Sequence, residues 1–356
     1  MKRIHCYLRG LRGTIVSLLY ATSAMAASPT DMPPMLHGDI WVNYSGSYEF
    51  GSLEENGDTH GKRQLHSENV DYGIEFSPIT GVAINIELPT TMYLALAYPD
   101  AIEMIYEPVT GSGTYAFDDP LGTKPIHRGL GVNGVWFGAA FAPFSEAFKR
   151  RQQVTWRLDL GVRTGSKKNL WTVHDDMRGT SPGGTAVHIG AAFSAKKGSA
   201  NPYMTFNYIY EGKVTADAVD ENNQVVASGL TFKPPSTVDL RGGLEIVSFY
   251  DPQDESLLAF DLFLGFGYNS WSDVPSGLFL PSVLDASRRI AVSTSDYLTA
   301  SAGFGIVGHA TKFVGIETSF MTRYITPHRL EHPYPIRTGL DTVELAWNLS
   351  VTGKYR

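Results

Sequence analysis

The sequence predicts an all-β protein, a transmembrane antiparallel up-and-down β-barrel of about 12 strands. Segments of roughly nine to eleven residues, enough for a tilted strand to cross a bilayer, alternate apolar and polar side chains. The connections between them alternate between short and long. No run of about 18 apolar residues follows Ala26, so no spanning helix is predicted. A closed barrel leaves no unpaired backbone edge in hydrocarbon.

Residues 153–165 show the pattern best. One face carries Val154, Trp156, Leu158, Leu160 and Val162, and the other carries Thr155, Arg157, Asp159, Gly161 and Arg163. Successive side chains of a strand point to opposite sides. A soluble sheet would turn the charged face to water, whereas a membrane barrel turns the apolar face to lipid and the charged face to a wet interior. The same alternation recurs along the chain, which favours the membrane barrel.

Eleven further segments carry this alternation, near residues 39–49, 70–76, 82–88, 130–142, 187–194, 204–211, 238–246, 258–267, 298–306, 314–324 and 343–352. Both faces of segment 130–142 are apolar or glycine, so its sequence does not show which face points inward. The long connections are 51–65, 90–128, 165–183, 213–235, 270–294 and 325–340. Short periplasmic turns, long outer loops and an even strand number describe bacterial outer-membrane barrels. Fourteen strands result if 90–128 adds a hairpin, and residues 214–226 are expected to form a hairpin beyond the membrane.

Aromatic residues support the same orientation. Near the outer rim of the lipid-facing phase lie Tyr48, Tyr210, Tyr268 and Tyr324, and near the inner rim lie Trp156, Tyr250 and Tyr355. Amphipathic rings form two such girdles where a barrel meets the membrane interfaces.

Residues 1–26 have the parts of a secretory signal peptide. The basic region comes first and contains Lys2, Arg3, Arg9 and Arg12. An apolar run over 14–21 follows, and Ala24-Met25-Ala26 matches an A-x-A cleavage site. The apolar run is short for a membrane anchor. We therefore expect export, cleavage near Ala26, and a single barrel domain over residues 27–356.

Composition excludes several functions. The only cysteine, Cys6, lies in the predicted signal peptide, so the mature chain has no disulfide or thiol chemistry. Loss of four basic residues with the signal changes the net charge from −7 to −11, which argues against a nucleic-acid partner. With 12% aromatic and 18% charged residues, the chain is poorer in charge than the usual quarter or so for globular proteins.

Two catalytic motifs occur in contexts that do not suit them. Residues 129–134 match the dinucleotide fingerprint G-x-G-x-x-G, but they open a strand rather than a helix. Residues 179–183 match the nucleophile-elbow pattern G-x-S-x-G, yet Pro182 follows the serine and has no N–H for an oxyanion hole. We expect neither a nucleotide cofactor nor enzymatic activity.

Loop histidines offer a possible metal site. His328 and His332 are four residues apart, and His127 and His174 lie in other long loops. Pro327 and residues 333–335 disfavour the helix that would place the first two on one face. Solvated histidines are the simpler interpretation, and no metal is predicted.

Charged residues on the inward phase are the predicted functional set: Arg157, Asp159, Arg163, His188, Glu211, Asp239, Arg241, Glu245, Asp261, Glu317, Arg323 and Glu344. They predict either a structural ion network or a polar path. Barrels of about eight strands are filled by side chains and those of sixteen hold water, so twelve lies between. Small inward residues, Gly243 and Gly303 among them, are expected to leave room for a solute or an inserted loop. The plug candidates are loops 90–128 and 270–294.

The signal peptide, the alternating strands and Tyr355 near the end resemble Gram-negative outer-membrane β-barrel proteins, with no specific family assigned. Arg356 displaces the usual terminal aromatic. The resemblance implies location in the outer membrane, contact with its lipid and insertion by the barrel-assembly machinery. About a dozen residues between cleavage and the first strand are too few for the N-terminal hatch of the long-chain fatty acid transporter family.

These features predict a passive channel or transporter for a small solute. Two alternatives stay open. One is an outer-membrane lipid hydrolase, which requires a serine, a histidine and a polar third group together. His188 and Ser194 lie six residues apart on one strand, roughly 20 Å, too far to pair directly. The other is a surface or structural barrel that transports nothing.

Overall fold

A computed structural model of the chain describes residues 30, 32–33, 35–55, 57–97, 104–106, 113–115, 127–128, 131–144, 154–165, 173–174, 177–178, 184–195, 199–219, 225–251, 256–272, 295–311, 313–329 and 336–355. Among these residues no helix is long and apolar enough to cross a membrane. The predicted signal peptide and the G-x-S-x-G motif lie outside the described residues, as do most of loops 90–128 and 270–294.

Twelve strands form the barrel. They are β1 (Gly38–Glu55), β2 (Asp58–Ile79), β3 (Val82–Ala97), β4 (Trp136–Phe144), β5 (Val154–Arg163), β6 (Ala186–Ala195), β7 (Ala200–Glu211), β8 (Thr237–Asp251), β9 (Ser256–Asn269), β10 (Tyr297–Thr311), β11 (Val314–Ile325) and β12 (Val343–Tyr355). Each pairs antiparallel with its neighbours in sequence, and β1 pairs with β12 over Gly38–Phe50, so the sheet closes. The predicted up-and-down barrel of twelve strands is confirmed.

The predicted long loop 51–65 is wrong. β1 and β2 stay paired to Glu55 and Asp58, leaving a two-residue turn. Outside lipid both faces of a strand can be polar, so apolar alternation is lost although the ladder continues. Leu53 and Leu65 are nevertheless fully or almost fully buried on the inward phase. The other connections at this end are long, so we call it the long-loop end and the opposite one the short-turn end.

Three small hairpins lie outside the barrel sheet. Met104–Tyr106 pairs with Gly113–Tyr115, Val173–His174 with Met177–Arg178, and Val214–Val219 with Val225–Phe232. The hairpin beyond β7 and β8 is confirmed. The alternative with fourteen barrel strands is wrong, because among the described residues of 90–128 the hairpin strands 104–106 and 113–115 pair with each other and not with the barrel.

The two phases of each strand have different environments. Outward side chains such as Ile40, Leu160 and Phe266 are exposed, whereas the inward phase is mostly buried. The undecided fourth segment places Trp136 inward, 3% exposed. Two residues of the G-x-G-x-x-G motif, Gly131 and Val132, pair with Thr91 and Thr90 of β3. The motif is therefore part of a β-sheet and does not begin a helix.

One inward row alternates large and small side chains around half of the barrel wall. Neighbouring strands contribute Tyr203, Gly243, Phe263, Gly303, Met321 and Ala346, each in register with the next. The Tyr203 ring lies over Gly243 on the adjacent strand, and the Phe263 ring lies over Gly303. These two glycines therefore do not leave open room as expected. They accommodate rings from neighbouring strands.

Replacing Gly243 with alanine tests this packing. The added Cβ would overlap the Tyr203 ring, whose hydroxyl donates to Asp261 Oδ2 at 2.8 Å. We expect a loss of about 1–3 kcal/mol in the free energy of unfolding, measured by urea titration of the refolded barrel. In the double variant with Tyr203→Ala, the two losses should not add.

Gly242→Ala is the matched control, because a Cβ at this outward neighbour meets nothing within 4 Å. Equal losses for Gly242→Ala and Gly243→Ala would contradict the ring-over-glycine packing.

Candidate functional site in the barrel interior

All twelve sequence-predicted charged residues lie on the inward phase. Arg163, Glu211, Arg241, Glu245, Glu317, Arg323 and Glu344 are buried, and Arg157, Asp159, His188, Asp239 and Asp261 are partly exposed. Their contacts divide them into groups that close the wall and groups that face open interior. The contacts also include charged residues that the sequence did not single out.

The first group closes the seam between the first and last strands. Glu49 on β1 and Glu344 on β12 are directly opposite in register. Arg63 on β2 is ion-paired with Glu49, and Arg323 on β11 donates to Glu344 at 3.1 Å. All four side chains are almost completely buried. The two arginines flank two adjacent carboxylates, so neither carboxylate is buried without a cation.

A second pair lies at the long-loop ends of β5 and β7. Arg163 donates to Glu211 at 2.6 Å, and both side chains are 1% exposed. Between them in register is Ala186 of β6, whose small side chain lets the pair pass over that strand. The Arg163 guanidinium also lies 5.4 Å from the centre of the Trp136 ring, a cation–π distance. Trp136, Ala186 and Ile209 form a small apolar cluster beside the pair.

The third group is centred on Arg157, whose ion pair joins strands three positions apart in the barrel. From β5 its guanidinium donates to Glu75 on β2 at 2.7 Å, and its Nε donates to Asp159 at 2.9 Å. Register places only small residues, Ala83 on β3 and Ala140 on β4, in the row that leads from Asp159 towards β2. The Arg157 and Asp159 side chains are 14% and 21% exposed. These two side chains are therefore partly accessible to solvent.

A fourth group surrounds Arg241. Its guanidinium lies 4.5 Å from the centre of the Phe263 ring and interacts electrostatically with Asp239 and Asp261. Asp239 is also within electrostatic reach of Arg323. Asp239, Asp261 and the Tyr203 hydroxyl donor are partly exposed. This group therefore extends from the seam to partly exposed residues on β8 and β9.

Three predicted residues lie outside these ion pairs. Glu245 accepts a hydrogen bond from Asn201 at 2.8 Å, and His188 Nε2 contacts Asn207 Oδ1 at 3.1 Å. Glu317 is buried near the short-turn end of β11. The sequence did not single out Glu49, which ended the first predicted segment, or Arg63, which fell in the predicted loop 51–65. It also omitted Glu75, which was placed on an inward face without a partner.

Neither a hydrolase triad nor a metal centre is supported by the described residues. His188 contacts Asn207, whereas Ser194 shares a 2.6 Å hydrogen bond with Thr30. His328 is buried, stacked on Tyr297, with its Nδ1 near Thr326 O and Thr338 Oγ1. No group of three or more His, Cys, Asp or Glu in the described part of the chain could hold a metal ion. His332 and the side chains of His127 and His174 lie outside it.

A turn at the long-loop end holds an exposed carboxylate in its ionised form. Burial alone would raise the pKa of Asp341, but hydrogen bonds from the Ser52 hydroxyl and the Ser52 backbone N–H outweigh it and lower the pKa. The contact joins the end of β1 to the turn before β12. It supports the seam outside the interior site.

Comparisons with known proteins place the fold. No family model and no characterised relative match the sequence. The crystal structure of an outer-membrane channel from Pseudomonas putida F1 matches with a TM-score of 0.55 at 10% identity, over 93% of this chain and 100% of that one. The translocator domain of the autotransporter NalP from Neisseria meningitidis has a TM-score of 0.46 at 10% identity, over 96% and 94% of the two chains. A Pseudomonas aeruginosa FadL homologue has a TM-score of 0.37 at 9% identity, over 90% of each chain.

At such low identity the match to the Pseudomonas putida channel shows the fold alone. The chain has the fold of outer-membrane β-barrel proteins, as the sequence predicted. In that fold the short-turn end faces the periplasm and the long-loop end faces outward.

Proposed function

We propose that this chain is an outer-membrane channel for passive passage of small polar solutes, exported with a signal peptide cleaved near Ala26. Partly exposed polar side chains in the barrel interior carry the proposal. They occur at two places on the wall, three to four strands apart, with Arg157 and Asp159 on β5, and Asp239 and Asp261 on β8 and β9. Because a charge buried away from water is costly, the partial exposure of these charges favours an interior that admits water.

The solute preference follows from the interior charges. Among the described inward side chains the acidic ones are Asp39, Glu49, Asp71, Glu75, Glu87, Asp159, Glu211, Asp239, Glu245, Asp261, Glu317 and Glu344, and the basic ones are Arg63, Arg157, Arg163, Arg241, Arg323 and Lys354. The excess of carboxylates creates a negative potential that concentrates cations in the lumen. We therefore propose cationic and neutral polar solutes as the preferred class.

Planar-bilayer recordings of the refolded barrel test conduction and preference together. Across a KCl gradient we expect discrete conductance steps and a reversal potential shifted towards the K⁺ equilibrium potential. The shift should decrease at high salt, because salt screens the interior charges. A refolded barrel without conductance, in bilayers and in a liposome uptake assay, would exclude the channel. A reversal potential on the Cl⁻ side would exclude the cation preference.

The proposed partners follow from the outer surface. Exposed apolar side chains on the outward phase, such as Leu264 and Phe304, face membrane lipid. Tyr355, 74% exposed at the end of β12, is the residue we propose for contact with the barrel-assembly machinery.

A further inference from the structure

The segment before β1 turns back into the barrel instead of continuing away from it. Thr30 is 3% exposed, and its Oγ1 lies 2.6 Å from Ser194 Oγ. Ser194 is on the inward phase near the short-turn end of β6. Four strands, β2 to β5, separate β1 from β6 in a barrel of twelve, so the two strands lie on nearly opposite sides of the mouth.

A fixed bend directs the segment inward. Leu36 has a φ of 62°, in the left-handed region that bulky residues rarely adopt. Its backbone N–H donates to Ser77 O at 2.7 Å, and the Ser77 N–H donates to His37 O at 3.0 Å. These two hydrogen bonds hold the bend against the short turn after β2. An unusual backbone conformation persists only where its surroundings determine it.

The length of the segment matches the width of the mouth. Gly38 follows Thr30 by eight residue steps, which gives a maximum span of about 27 Å. Twelve tilted strands spaced about 4.8 Å apart form a barrel about 24 Å across. Pro33 is buried and stiffens the middle of the segment, because its ring fixes the backbone φ angle. The segment therefore reaches across the mouth with little slack.

We propose that the described residues before β1 (30, 32–33 and 35–37) form a strap across the periplasmic mouth, held at one end by the Leu36–Ser77 bend and at the other by the Thr30–Ser194 hydrogen bond, and that release of the Thr30 end widens the exit. The inference rests on the proposed channel function for its effect on conduction. The placement of the strap can be tested without conduction. Because the bend at Leu36 stays fixed, the strap moves by detachment at Thr30.

Thiol labelling tests the placement. The only natural cysteine precedes the predicted cleavage site, so Ser194→Cys introduces a single thiol into the processed chain. In the refolded barrel we expect labelling by a charged methanethiosulfonate to be about tenfold slower, or more, than in the same variant lacking residues 30–35. Ser199→Cys, exposed in the adjacent turn, should label at one rate in both backgrounds. Equal rates for Ser194→Cys with and without the segment would overturn the strap.

A reversible tether tests the effect on conduction. The two hydroxyl oxygens are only slightly farther apart than bonded sulfurs, so Thr30→Cys with Ser194→Cys should form a disulfide. We expect low single-channel conductance in the oxidised state, a rise on addition of reductant, and the highest value when residues 30–35 are deleted. Equal conductance in all three states would overturn the gating role. If no variant conducts while labelling still shows protection, the strap stands and the channel proposal fails.

Discussion

Replacing Arg163 with alanine is expected to lower the free energy of unfolding by about 3–5 kcal/mol. The change leaves Glu211, which is 1% exposed, with no ion-pair partner in the described structure. A carboxylate buried without a cation is far costlier than the net stabilisation that an intact pair provides. The guanidinium contact with the Trp136 ring is lost as well. Urea titration of the refolded barrel, followed by tryptophan fluorescence, measures the loss.

Two further variants separate the buried charge from other causes. Replacing both partners, Arg163→Met with Glu211→Leu, should restore most of the stability, since apolar residues of similar volume fit the Trp136 cluster. Arg337→Ala removes an exposed pair with Glu54 and should cost no more than about 1 kcal/mol. If Arg163→Ala and Arg337→Ala proved equally mild, burial of the Arg163–Glu211 pair would not contribute to stability.

The fold was predictable because the apolar and polar side chains of each membrane-crossing strand alternate within that strand's own sequence. Every second side chain of such a strand faces lipid and is apolar, as in β5 from Val154 to Val162. Where lipid ends, this alternation ends, and the sequence loses its strand signal although pairing continues. The paired ends of β1 and β2 beyond Gly51 were therefore interpreted as a loop, and Glu49 and Arg63 were not recognised as partners.

The inward face of the charged residues was predictable from the sequence, but their pairing was not. Alternation along one strand shows that Arg157 points inward. It does not show that Arg157 forms an ion pair with Glu75, three strands away. Nor does it show that Gly243 accommodates Tyr203, because that fit runs across strands. Periodicity reports the face of a residue, whereas register and shear decide its neighbours. The inward glycines were taken as free space for this reason.

Replacing Arg157 with alanine is expected to raise the conductance and strengthen the cation preference. The guanidinium extends from β5 to Glu75 on β2 and borders water, so its removal widens the path and exposes two unpaired carboxylates, Glu75 and Asp159. A cation about 4 Å from a guanidinium meets a repulsion of about 1 kcal/mol in bulk water and about 4 kcal/mol near a protein surface. Loss of even the smaller repulsion corresponds to about fivefold faster cation passage.

Conservative and remote variants separate the causes of that rise. Arg157→Lys keeps the charge but cannot form the forked contact with both Glu75 oxygens, so its conductance should lie between wild type and Arg157→Ala. Arg337→Ala, at an exposed site on the long-loop end, should leave conductance and reversal potential unchanged. Because the Arg157 and Asp159 side chains are 14% and 21% exposed, whereas Arg163 and Glu211 are each 1% exposed, Arg157→Ala should destabilise the barrel less than Arg163→Ala. Unchanged conductance and reversal potential in Arg157→Ala would show that ions do not pass this residue, and the solute path would have to lie elsewhere in the interior.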